Sequence, residues 1–144
     1  MKKLIFPFAL VLPLVLSLAA CGQKTPDDAA PPPTTEERLA APADLKKGEY
    51  YFRLCASCHE REKGAKHRIG PTLWGIYSMK AGTQSGFAYS PALIKAGIVW
   101  DETSLDAYIE NPREFIPGTR MSFPGIKDPA DRRDLIAYIE SLKD

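Results

Sequence analysis

Cys55-Ala56-Ser57-Cys58-His59 constrains this chain more than any other stretch. Two thiols three residues apart share one helical turn, and the next residue brings an imidazole directly after them. This C-x-x-C-H spacing lets two sulfurs reach the two vinyl groups of a porphyrin while the following ring nitrogen meets the iron. Cys55 and Cys58 are read as the thioether positions of one covalent haem c. His59 is read as an axial ligand whose second ring nitrogen donates to a carbonyl that fixes the ring. Two other uses of a C-x-x-C pair fit less well. A structural zinc needs four ligands, and beyond the motif the chain offers only His67 and Cys21. A redox dithiol needs no adjacent His and sits in a βαβ context, for which no pattern is present.

Haem iron that carries electrons commonly takes Met as its sixth ligand. Met121 lies between Pro117-Gly118 and Pro124-Gly125, turn signals that forbid a continuous helix and stiffen the loop. A weak thioether bond needs a sulfur held in place, so Met121 is the candidate. Met79, among Ser78, Lys80 and Gly82, reads as a gap-filler, and Met1 belongs to a targeting segment.

The N-terminus carries Lys2 and Lys3, then the apolar run Leu4 to Leu18, an export signal over residues 1–20. Leu18-Ala19-Ala20-Cys21 resembles a bacterial lipobox, which implies a lipidated Cys21 and attachment to a membrane. An uncleaved anchor helix, or ordinary cleavage near Ala20, are the alternatives; each still exports the rest of the chain. Residues 21–43 are rich in Pro, Thr and Asp and read as a disordered tether. At 144 residues and a formal charge of +1, the remainder suits one domain over 44–144 and argues against a nucleic-acid partner.

Within that domain every element marked by the sequence is helical, so the fold class is all-α, with about four helices. Leu45, Gly48, Phe52 and Cys55 recur on one face of a first helix, and Gly48 implies close approach of another helix. Lys63, Lys66, His67 and Arg68 form a basic loop in which His67 reads as a donor to a backbone carbonyl rather than a ligand. Pro71, in the turn-rich loop 69–75, offers a carbonyl for the proximal imidazole. Ser90-Pro91 opens a second helix that Gly97 closes. Asp101 caps a third that stops at Asn111-Pro112. Asp128-Pro129 opens the last, which puts Leu135, Ile136, Ile139 and Leu142 on one face.

From Gly48 onward the chain resembles class I cytochromes c of the mitochondrial cytochrome c and bacterial c2 group. The resemblance rests on Cys55 to His59, Glu62-Lys63-Gly64, His67, Gly70-Pro71, Gly86-Phe87, Tyr89-Ser90, Gly97-Ile98 and Trp100. It continues through Tyr108-Ile109-Glu110-Asn111-Pro112, Ile116-Pro117-Gly118-Thr119, Met121 and Asp134-Leu135-Ile136-Ala137-Tyr138. It implies a single domain wrapped around one haem, with His59 and Met121 as axial pair and Pro71 bonded to His59. Tyr89, Ser90 and Trp100 would bond the propionates, Tyr108 and Thr119 would steady the methionine side, and Phe123 would cover the haem edge. Gly48 would meet Tyr138. Two positions depart from the pattern: Met79 and Leu93 replace a usual Arg and Asn, which leaves the propionate side drier.

The resemblance also implies a one-electron carrier, not an enzyme, expected as a monomer; the lipobox-like stretch implies the periplasmic side of a bacterial membrane. A quinol–cytochrome c reductase and a terminal oxidase are the partners it implies. Lys66, Arg68, Arg113, Arg120 and Lys127 would form a partial basic ring around the docking edge, or else be scattered solubilising charges. Two rival readings are a haem enzyme with peroxidase-like activity after loss of Met121, and a fixed haem subunit of a larger oxidoreductase complex.

Overall fold

The part of the chain described by this computed structural model, residues 32–144, contains six helices: α1 (Thr35–Ala40), α2 (Leu45–Phe52), α3 (Pro91–Ala96), α4 (Glu102–Glu110), α5 (Pro112–Phe115) and α6 (Pro129–Ser141). The export segment and Cys21 lie outside these described residues. Five of the six begin on a side-chain cap: Thr34, Asp44, Ser90, Asp101 and Asp128 each accept a backbone N–H from the first turn. Proline stands in the first turn of α3, α5 and α6, where its missing N–H has no partner to lose. Gly97 ends α3 in the left-handed conformation at φ 64°. Among the described residues strand-type pairing amounts to one isolated bridge, Lys80 to Val99, so the fold is all-α as expected.

Two of the six helices are not among the expected four. Asn111-Pro112 stops α4, but Pro112 also opens the single turn of α5, where the Asn111 amide side chain donates to Glu114 at 2.7 Å. The larger difference is α1, in the stretch expected to be unfolded tether. Thr34 and Glu37 form a reciprocal capping box, and Arg38 supplies a cation that the acidic first turns of α6 hold. The compact unit therefore starts at Pro33 rather than Asp44. The proline-rich composition of residues 21–43 conceals a six-residue helix whose stability comes from a distant partner.

The core is built where α2 crosses α6, the most extensive helix pair of the fold. Gly48 makes this crossing possible: a Cβ there would overlap the Asp134 carbonyl oxygen and lie 2.6 Å from the Tyr138 Cβ. Phe52 meets Tyr138 edge-on at 5.5 Å. Leu135, Ile136 and Ile139 of α6 are buried beside Leu105 and Ile109 of α4. The expected apolar face of the last helix is thus observed, and Gly48 meets Tyr138 as the resemblance implies.

Candidate haem site

Cys55, Cys58 and His59 lie on the turns that continue α2. The Cys58 and His59 amides both bond back to the Cys55 carbonyl, at 3.0 and 2.9 Å, so the two sulfurs and the imidazole leave one compact stretch of backbone. No disulfide joins Cys55 and Cys58. Burial, with the neighbouring Cys58 adding to it, pushes the Cys55 thiol up to about 11. No group of three or more His, Cys, Asp or Glu side chains among the described residues could share a metal ion.

His59 Nδ1 lies 2.7 Å from the Pro71 carbonyl oxygen. That bond takes the ring proton and leaves Nε2 with its lone pair. Burial lowers the affinity of His59 for a second proton, and the Pro71 carbonyl opposes this only in part. The ring is therefore a neutral donor, the state that ligates iron. Gly70 is buried with its α-carbon against the imidazole face, where any Cβ would collide with the ring. The Gly70 amide donates to the Cys58 carbonyl at 2.8 Å, fastening loop 68–72 to the motif.

On the other side the chain from Ile116 to Ile126 forms an irregular loop. The Tyr108 and Thr119 hydroxyls are 2.7 Å apart, and Thr119 Oγ1 accepts the Met121 amide at 3.3 Å. Met121 and Phe123 are half-buried and packed on the core, as are Cys55 and Tyr89. The Tyr108 ring lies 5.0 Å from that of Trp100. Gly125, at φ 90°, lets the loop return against α4: a side chain there would overlap the Glu110 carbonyl, and Ile126 N–H donates to Ile109 at 3.0 Å.

The residues expected on the propionate side sit in the segment 89–100. Ser90 and Trp100 are buried and Tyr89 is half-buried. Ser90 Oγ accepts the Leu93 amide at 3.2 Å, which leaves its own proton to donate. Burial raises the Tyr89 hydroxyl above its ordinary range, opposed by a backbone group of Gln84. Leu93 is in the core, so the apolar replacement noted in the sequence packs rather than leaving a polar gap. His67 behaves as expected of a structural histidine: Nδ1 accepts the Thr72 amide at 3.0 Å and Nε2 donates to the Ser85 carbonyl at 2.9 Å.

Two arginines matter here that sequence reading passed over. Arg132 is 5% exposed. Its fork holds both carboxylate oxygens of Asp106, at 2.6 and 3.1 Å, and its Nη1 donates to the Ile126 and Lys127 carbonyls at 3.0 and 2.9 Å. It clamps the end of the methionine loop to α4 and α6. The available signal was its register, three and four residues before Leu135 and Ile136 on the apolar face. Arg61, two residues past His59, bonds Glu49 at 2.9 Å and the Tyr138 hydroxyl at 2.6 Å and stacks over Phe52. Of the five cations expected around the docking edge, all are exposed. Arg68 also donates to the Ala56 carbonyl at 2.8 Å and Lys127 to that of Glu110 at 2.7 Å.

Comparison with known proteins agrees with this geometry. The family model described as cytochrome c matches residues 45–143. A cytochrome c from Sesamum indicum is 45% identical over 102 residues, covering 70% of this chain and 92% of the relative. A cytochrome c2 from Rhodopila globiformis is 44% identical over 105 residues, covering 72% of this chain and 98% of the relative. Among solved structures, cytochrome cH from Methylobacterium extorquens superposes with a TM-score of 0.64 at 42% identity, covering 69% of this chain and 99% of that one.

Proposed function

The chain belongs to the cytochrome c family, and from that premise we propose that it is a monohaem carrier tethered to the periplasmic face of a bacterial membrane through lipid on Cys21. As a member of that family it is an electron carrier with one haem c joined through Cys55 and Cys58, not an enzyme. The residues present fit that group: two cysteines on one turn that form no disulfide, an imidazole bonded through Nδ1, and no side chain at Gly70 to obstruct the ring. When bound, haem supplies one-electron exchange between ferric and ferrous iron.

The protein's part is to keep the surroundings constant. His59 and Met121 are the proposed axial ligands. The Pro71 carbonyl fixes the rotation of the His59 ring, and Thr119 with Tyr108 holds the backbone at Met121. A site that barely rearranges when the charge changes keeps the reorganisation cost low. Ser90, Trp100 and Tyr89 are proposed to donate to the propionates, and Phe123 to cover the edge. Lys66, Arg68, Arg113, Arg120 and Lys127 are proposed to steer acidic redox partners, a quinol–cytochrome c reductase and a terminal oxidase, to that edge without a tight complex.

The observation that carries the reading is the 2.7 Å contact from His59 to Pro71, directly beyond the Cys55–Cys58 pair, which forms no disulfide. The test is spectral and kinetic, on the native protein extracted from membranes. A carrier with Met121 on iron shows the weak near-red band of a sulfur-to-iron transition when ferric, elutes as a monomer, and is reduced by the reductase in stopped flow. A ferric spectrum without that band, together with peroxide turnover, establishes the enzyme reading instead. Co-elution with a larger haem complex establishes the fixed subunit.

A further inference from the structure

Helix α1 lies outside the part of the chain that the family model matches, yet it is fastened to α6 at several points. Thr35 Oγ1 donates to Asp128 at 2.9 Å, and Arg38 bonds the same carboxylate at 3.1 Å as well as that of Asp131. Asp134, buried in α6, lies 4.0 Å from Arg38. The grip is mutual, because Arg133 of α6 donates back to the Arg38 and Ala41 carbonyls at 2.7 and 2.8 Å. The second of these bonds occupies the Ala41 carbonyl just past the C-terminal end of α1, and the first adds a side-chain donor to the Arg38 carbonyl, which also accepts the Ala41 amide at 3.3 Å. A helix of six residues is not stable alone in water, so the attachment, and not intrinsic propensity, is what forms it.

We propose that α1 is a latch that sets the length of the membrane leash. The proposal rests on the reading that Cys21 is the lipid anchor. With α1 docked, the tether expected from composition runs from Cys21 to Pro33, about 12 residues whose contour length is at most roughly 40 Å. With α1 released it runs to Asp44, about 23 residues and at most roughly 80 Å. The latch halves the reach of the haem domain and fixes the tether's point of departure beside the first turn of α6. The clasp is made of partly buried, charge-assisted bonds, so its equilibrium responds to ionic strength and to any cationic surface that competes for Asp128 and Asp131.

Three measurements on the full lipidated holoprotein in vesicles test the proposal. Vesicle flotation reads the anchor: the protein floats with lipid, and a protein that stays in the soluble fraction overturns the leash. Amide hydrogen exchange across residues 35–41 reads the latch. Docked α1 exchanges about tenfold or more slowly than an unstructured segment, and Arg38→Ala removes that protection while the haem spectrum stays unchanged. Free exchange in the parent protein overturns the latch even where flotation succeeds. Quenching of a headgroup fluorophore by the haem reads the reach. Arg38→Ala and, independently, Arg133→Ala weaken it; equal quenching in parent and variants overturns the change in reach.

Discussion

Gly48→Ala tests the α2–α6 crossing on which the haem site stands. Taken alone the change favours a helix by about 1 kcal/mol, because Ala loses less backbone entropy than Gly. The crossing opposes it. The new methyl would overlap the Asp134 carbonyl oxygen and sit 2.6 Å from the Tyr138 Cβ, where ordinary contacts begin near 3.4 Å. The obstruction is helix backbone, not the end of a flexible side chain, so α6 has to move away by about 1 Å. Leu135, Ile136 and Ile139 would move with it. Overpacking of this kind costs about 3 kcal/mol, the upper part of the usual range, which leaves a net loss of about 2 kcal/mol. Guanidinium unfolding of the ferric holoprotein, followed by far-ultraviolet circular dichroism, gives the measurement. With a slope of about 3 kcal/mol per molar, the midpoint falls by about 0.7 M. Lys46→Ala, an exposed change on the same helix, serves as control and stays within about 0.5 kcal/mol. A Gly48→Ala protein as stable as the parent would refute the argument that this crossing needs a missing side chain.

Thr119→Val removes the partner of the Tyr108 hydroxyl and the acceptor of the Met121 amide; it costs about 1–3 kcal/mol and weakens the near-red ferric band, read in the same unfolding and spectral assays. Arg132→Met leaves the Ile126 and Lys127 carbonyls without their donor and lowers stability by about 2–4 kcal/mol, measured by denaturant midpoint. Attachment of α1 is lost in acid. Partial burial disfavours the Asp128 carboxylate, but bonds from Thr35 and the Ala130 and Asp131 amides, with the charge of Arg38, outweigh it and hold Asp128 below the ordinary carboxylate range. A folded pKa below the unfolded one gives a contribution that is complete above the unfolded pKa and disappears as pH falls through the folded one. Exchange protection of residues 35–41, corrected for intrinsic rates, therefore stays constant from neutrality down to about pH 5 and collapses below about pH 4.

Most of what could be read from the sequence was local. The Ser90-Pro91 start and Gly97 end of α3 work through bonds within a few residues, so the residue types alone mark them. The haem motif is likewise five consecutive residues. His67 was readable by exclusion, since no spacing made it a ligand, and both its nitrogens are taken by backbone. What escaped depends on partners far along the chain. Thr34 and Glu37 form a capping box that could be seen, but the α1 they begin is held by Asp128, Asp131 and Arg133, more than ninety residues away. Arg132 looks like one more surface cation until Asp106 and the two loop carbonyls are placed around it. The single turn of α5 was missed because Pro112 ends one helix and begins another.

The methionine loop is pinned near its start by Thr119 against Tyr108 and at its end by Ile126 and Arg132, with irregular backbone between. Such a segment can swing open while the helices beneath it stay folded, because its opening exposes few of the buried contacts that set global stability. Opening of the stretch between those two pins thus belongs to a shallower equilibrium than global unfolding, and substitutions within it, away from the pins themselves, can change how often the face beside Met121 opens with little shift in the melting point of the domain.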